Sequence, residues 1–168
     1  FRVMLNSSLV MSVGKIENVT NIDAVNSQTV KNLKDLVQAA NFTDNAQYVD
    51  NPNGDIVNQT TGISPISSDD NLNNVYLLNM GHKVYEGSPS PGTIYNIGDL
   101  RGWKKIRILR YALGYKIQYA DLDETSHKEF IISKDTEYNY RFFSFTTGTY
   151  ANIQPKKKEW DLCYTVFT

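Results

Sequence analysis

The chain has 168 residues, 40% of them hydrophobic and 12% aromatic, and its 17 Lys and Arg against 18 Asp and Glu leave a net charge of −1. That length suits one domain with a full core. Near-neutrality argues against nucleic acid as the main partner, because phosphate binding needs a concentrated basic face. Cys163 is the only cysteine, which excludes an internal disulfide and a cysteine-rich metal site, and no apolar run approaches the ~18 residues of a membrane span.

Phe1-Arg2-Val3-Met4-Leu5 reads like the inside of a strand, and residues 1–20 predict one or two strands with Asn6-Ser7-Ser8 as a turn. Ile22 to Ala40 is the one helical stretch, an amphipathic helix near residues 26–40. Val30, Leu33, Val37 and Ala40 recur at helical spacing, Asn26 or Ser27 can cap its start, and Lys31, Asn32, Lys34 and Asp35 face water. Such a helix is expected to pack on a sheet. Residues 41–74 are rich in Asn, Asp, Ser, Thr, Pro and Gly, with Asn53-Gly54 as a tight-turn signal, and read as long loops with one or two short strands.

From Val75 the pattern is β. Val75 to Gly81 is a strand ending in glycine, followed by a Pro/Gly/Ser loop through Gly92. Trp103–Ala112 and Tyr115–Ala120 predict a hairpin turning near Leu113-Gly114. A phase change between Ile108 and Leu109 suggests a bulge. Asp121 to Ser126 is a turn and His127 to Ile132 another strand. Aromatic and β-branched residues then run up to Thr146-Thr147-Gly148, and Lys156, Lys157 and Lys158 read as solvated surface. Strict alternation from Trp160 to Thr168 predicts a strand with apolar groups on both faces, on which Cys163 is a small buried hydrophobe rather than a reactive thiol. The expected class is mainly β: an antiparallel meander or sandwich-like sheet with one short helix, 1–168 forming one domain. Both ends look cut, which leaves room for an export signal upstream, and partner strands are expected downstream.

Catalytic patterns are scarce. His82 and His127 lie in no metal-binding or haem-attachment frame, and the chain has no nucleophile elbow, phosphate loop or paired cysteines. Asp121, Asp123 and Glu124 offer hard oxygens for Ca²⁺, although an acidic turn between strands is commonplace. Met80 and His82 are chemically competent haem-iron ligands, as is His127, and each has the plainer reading of a loop or strand residue. Gly98 and Gly102 frame Arg101 and lead into Trp103, and Arg and Trp are the residue types that dominate protein interfaces.

Taken together, Tyr76 to Gly81, Gly98 to Arg107, Tyr115 to Ala120, and Phe143-Ser144-Phe145 through Trp160-Asp161-Leu162 resemble the HmuY-like lipoproteins of Bacteroidetes, closest to the longer flavobacterial members. The likeness covers most of the chain, with Trp160, Asp161 and Leu162 in the family's signature. It implies a mostly β fold, a lipidated cysteine upstream of this segment, and attachment at the outer membrane, often facing the cell exterior. It further implies a non-enzymatic role as an accessory or binding subunit beside an outer-membrane β-barrel or TonB-dependent transporter. The alternative is a haem-binding lipoprotein delivering haem to such a receptor. The founding member's two axial haem ligands lie downstream of the Trp-Asp motif, and this chain ends eight residues after Trp160. No resident cofactor is therefore expected from these residues.

Overall fold

The computed structural model describes residues 11–38, 48, 62–88, 91–92 and 97–160. The fold is mainly β and antiparallel. Its strands are β1 (Ser12–Lys15), β2 (Val75–Asn79), β3 (His82–Val84), β4 (Ile97–Leu100), β5 (Trp103–Tyr111), β6 (Gly114–Asp121), β7 (Lys128–Ser133), β8 (Phe142–Ser144) and β9 (Thr149–Ala151). The main sheet has the order β1-β2-β5-β6-β7, and β3-β4 and β8-β9 form two separate ribbons. The strand expected at the chain's end falls outside the described residues, apart from Trp160. So do Asn53-Gly54 and most of 41–74, of which 62–74 hold a single 3-10 turn, Asp70–Leu72.

The helix α1 spans only Lys31–Leu36. The longer helix expected from the spacing is interrupted by side-chain hydrogen bonding to the backbone, which competes with helical pairing. The Asn26 Oδ1 accepts from the backbone N–H of Gln28 and Thr29, and the Thr29 hydroxyl donates to the Asn26 carbonyl. Ser27 gives its N–H and hydroxyl to Asp123, 96 residues away. Neither residue caps the helix; both build the turn ahead of it. Ile22–Ala24 is a 3-10 turn capped by Asn21.

Both faces of the sheet are covered. On one, Val30 is buried and Leu33 packs with Ile22, Val25, Val75, Leu77 and Leu122. Here Gly14 of β1 lets α1 approach: a Cβ at that position would lie 2.5 Å from Val37 Cγ2 and 3.2 Å from Leu33 Cδ1. Asn79 secures the helix end by donating to the Val37 carbonyl at 2.9 Å while accepting from Gly81 N–H. On the other face Val13, Tyr76, Leu78, Met80, Ile106, Ile117 and Tyr119 form the larger cluster. The β8-β9 ribbon covers it, with Phe143 edge-on to Tyr119 at 5.1 Å and Phe145 likewise at 5.7 Å.

The β5-β6 hairpin turns at Ala112-Leu113, and its register runs unbroken from Lys104 opposite Asp121 to Tyr111 opposite Gly114. There is no bulge at Ile108 and Leu109. The apparent phase change has another cause: Ile106 and Ile108 serve one cluster, while Trp103 and the buried Lys105 and Leu109 occupy the opposite face. Ala112 takes the left-handed region at φ 46 to close the turn.

Candidate binding groove

Two backbone hydrogen bonds, Met80 N–H to the Gly102 carbonyl and Arg101 N–H to the Gly81 carbonyl, tie the β4-β5 turn to the β2-β3 turn. Gly102 sits at φ 84 with open space where a side chain would project. The turn therefore presents Arg101 and Trp103 on one wall of an open groove of about 530 Å³, which also runs past Ser27, Lys34 and the β6-β7 turn from Asp121 to Thr125. Such a volume lies in the range of small-ligand and peptide-side-chain sites.

The groove is amphoteric. Lys34 of α1 holds its ammonium 5.3 Å above the Trp103 ring, a cation–π contact. Among the other lining residues, Asp121 pairs with Lys104 at 2.5 Å, and Asp123 accepts from the Ser27 hydroxyl and N–H at 2.7 Å each. Those two hydrogen bonds, followed by the charges of Lys34 and Lys105, hold the Asp123 carboxyl below its usual value. Its negative charge is thus fixed at neutral pH.

Beneath the groove lies Lys105, which has 0% of its surface exposed. Its ammonium donates to the carbonyls of Val25 at 2.6 Å and Glu124 at 2.7 Å, pinning the N-terminal layer and the acidic turn to the same strand. Burial lowers its pKa, opposed by the nearby charges of Asp23, Asp123 and Glu124. Reading by residue type selected Arg101 and Trp103 and named Asp123 only as a calcium ligand, but missed Lys34 and Lys105. The available signal was Lys105 sharing a strand face with Trp103 and Leu109.

The other sequence-selected residues do not converge. Met80 is 8% exposed and belongs to the core cluster under the β8-β9 ribbon. His82 is half-buried and opens β3 opposite Leu100. His127 lies across the sheet from Met80's cluster, beside the turn preceding α1. Its Nδ1 is 2.9 Å from an Asp23 carboxylate oxygen, and its Nε2 is 3.0 Å from the Gln118 amide nitrogen. Trp160 is half-buried and its indole N–H donates to the Pro155 carbonyl at 2.9 Å; Asp161 and Leu162 lie outside the described residues. Among the described residues no three His, Cys, Asp or Glu side chains gather as a metal site, Asp121, Asp123 and Glu124 included.

No family model, curated protein or solved structure matches the chain.

Proposed function

We propose that this chain is the binding domain of a non-enzymatic, lipid-anchored protein of the bacterial outer membrane, an accessory subunit held to a β-barrel or TonB-dependent transporter complex by surface contacts. The anchor lies outside this segment and the domain faces the cell exterior. One observation carries the reading. The β3-β4 ribbon exposes Val84 (69%), Ile97 (50%) and Leu100 (68%), and Leu100 adjoins the Arg101 to Trp103 wall of the groove. Apolar side chains bordered by Arg and Trp have the composition of an interface core, which is enriched in those types and depleted of other charges. The sequence resemblance supplies the cellular setting.

The haem-delivery alternative draws less support, since Met80 is packed in the core and both ring nitrogens of His127 are engaged. The test is purification of the full-length protein in mild detergent, with identification of stoichiometric companions. Val84→Asp together with Leu100→Asp is expected to release a co-purifying barrel while the circular dichroism spectrum stays unchanged. A wild type that brings down no membrane protein, yet gives a saturable Soret shift with haem, would replace this reading with the alternative.

A further inference from the structure

The outer edge of β7 ends the main sheet, and among the described residues no strand pairs with it. One side chain does. The Tyr150 hydroxyl donates to the Ile131 carbonyl at 3.1 Å and accepts from the Ser133 N–H at 2.9 Å. In a parallel ladder, one residue of the added strand donates to a carbonyl and accepts from the N–H two residues further along. A single phenol here imitates that residue. Its ring is fixed independently of the hydroxyl, edge-on to Phe130 at 5.0 Å and beneath the Arg141 guanidinium at 4.0 Å.

We propose that the β7 edge is a strand-pairing surface for a second copy of this chain, and that Tyr150 holds it shut. The two bonds identify Ile131 and Ser133, and by alternation Glu129, as the residues whose backbone groups point outward. Two β7 strands pair antiparallel about Phe130 with Glu129 opposite Ile131 and Lys128 opposite Ile132, so no like charges face each other. That register needs the Ile131 carbonyl and the Ser133 N–H, the two groups Tyr150 occupies. Ile131, 46% exposed, adds apolar area to the same seam. An edge left open in this way templates association, and proteins block such edges by design or by covering groups.

Sedimentation velocity and amide exchange test this on the whole chain. Tyr150→Phe keeps the ring contacts and removes only the hydroxyl, so Ser133 amide exchange is expected to rise about tenfold, the loss of roughly one net hydrogen bond. Tyr150→Ala also clears the ring, and is expected to form dimers at concentrations where the wild type is monomeric. Adding Ile131→Pro, which removes an outward N–H that an edge position can forgo, should return that variant to monomer. A folded Tyr150→Ala that stays monomeric overturns the proposal. Should that variant not fold, unchanged Ser133 exchange in Tyr150→Phe overturns it instead.

Discussion

Replacing Lys105 by Met tests whether the buried amine is what fastens the N-terminal layer to the sheet. Methionine keeps the length and most of the packing but donates nothing. The carbonyls of Val25 and Glu124 lose donors at 2.6 and 2.7 Å. Orphaning the buried Val25 carbonyl costs about 1–3 kcal/mol, and the part-buried Glu124 carbonyl adds less. Against that, the variant no longer strips water from a cation, and this smaller saving offsets part of the cost and leaves a net loss of about 2–4 kcal/mol. For a chain of this length the melting temperature should fall by about 4–16 °C. Chemical denaturation reads the same loss as a lower midpoint at unchanged slope. The pH dependence supplies a second readout. Burial lowers the folded-state pKa of Lys105 from its ordinary 10.5. Between the lowered value and 10.5 the unfolded chain binds more protons, so wild-type stability gains from this group as pH rises through that window. The Met variant lacks the gain, and the gap between the two should widen toward pH 10.5. A Met variant as stable as wild type, with a constant gap, would show that the amine fastens nothing.

Four further outcomes follow from the same contacts. Gly14→Ala should cost about 1–3 kcal/mol in urea denaturation, because its methyl would lie 2.5 Å from Val37 Cγ2 in a packed interface. Asn79→Ala removes a buried donor and acceptor at once and should lower the unfolding free energy by about 1–3 kcal/mol, with faster exchange at the Gly81 amide. Ala112→Gly should raise stability by about 0.5–1 kcal/mol by relieving a left-handed backbone at φ 46. Asp123→Asn bears on acid stability. The carboxyl has a folded-state pKa below its ordinary 3.8, so its contribution is complete above 3.8 and is lost as pH falls through that value toward the lower one. The wild type should therefore show a stability slope in that window which the Asn variant lacks in pH-titrated thermal unfolding.

Much of the β half was legible because alternation is a property of single strands. β6 follows it cleanly, β2, β5 and β7 stand where apolar and β-branched runs mark strands, and the turn after Phe145 falls near Gly148, although β9 follows it where a polar connection was expected. What failed was any feature set by distant partners. The helix lost its first half because Asn26 and Thr29 bond their own turn and Ser27 bonds Asp123. The bulge was inferred from a hydrophobicity pattern that confuses a register slip with a strand covered on both faces. β3 and β4 were read as loop and strand approach, since His82–Val84 and Ile97–Leu100 are short, partly polar and paired only with each other. In the groove, residue type sufficed for Arg101 and Trp103. The acidic turn looked commonplace because its partners, Ser27 and Lys105, arrive from other parts of the chain.

The position of the groove follows from how the N-terminal layer is fixed. Residues 22–36 touch the sheet through apolar contacts that a short helix cannot make specific by itself. The specificity comes from three polar ties across that layer: Lys105 to Val25, Asp123 to Ser27, and His127 to Asp23. Two of the three involve the β6-β7 turn or the residues bordering it, and Asp123 and Ser27 also line the groove. Lys34 belongs to the same layer and lies over Trp103, which packs against the cluster beneath. The groove is therefore the seam between layer and sheet, and its walls are joined by the contacts that hold the layer down. A ligand engaging Asp123 or Lys34 would act on those ties. Binding there should alter amide exchange at Ser27 and Val30 as strongly as at the groove itself, whereas contact confined to the β3-β4 ribbon should leave both amides unchanged.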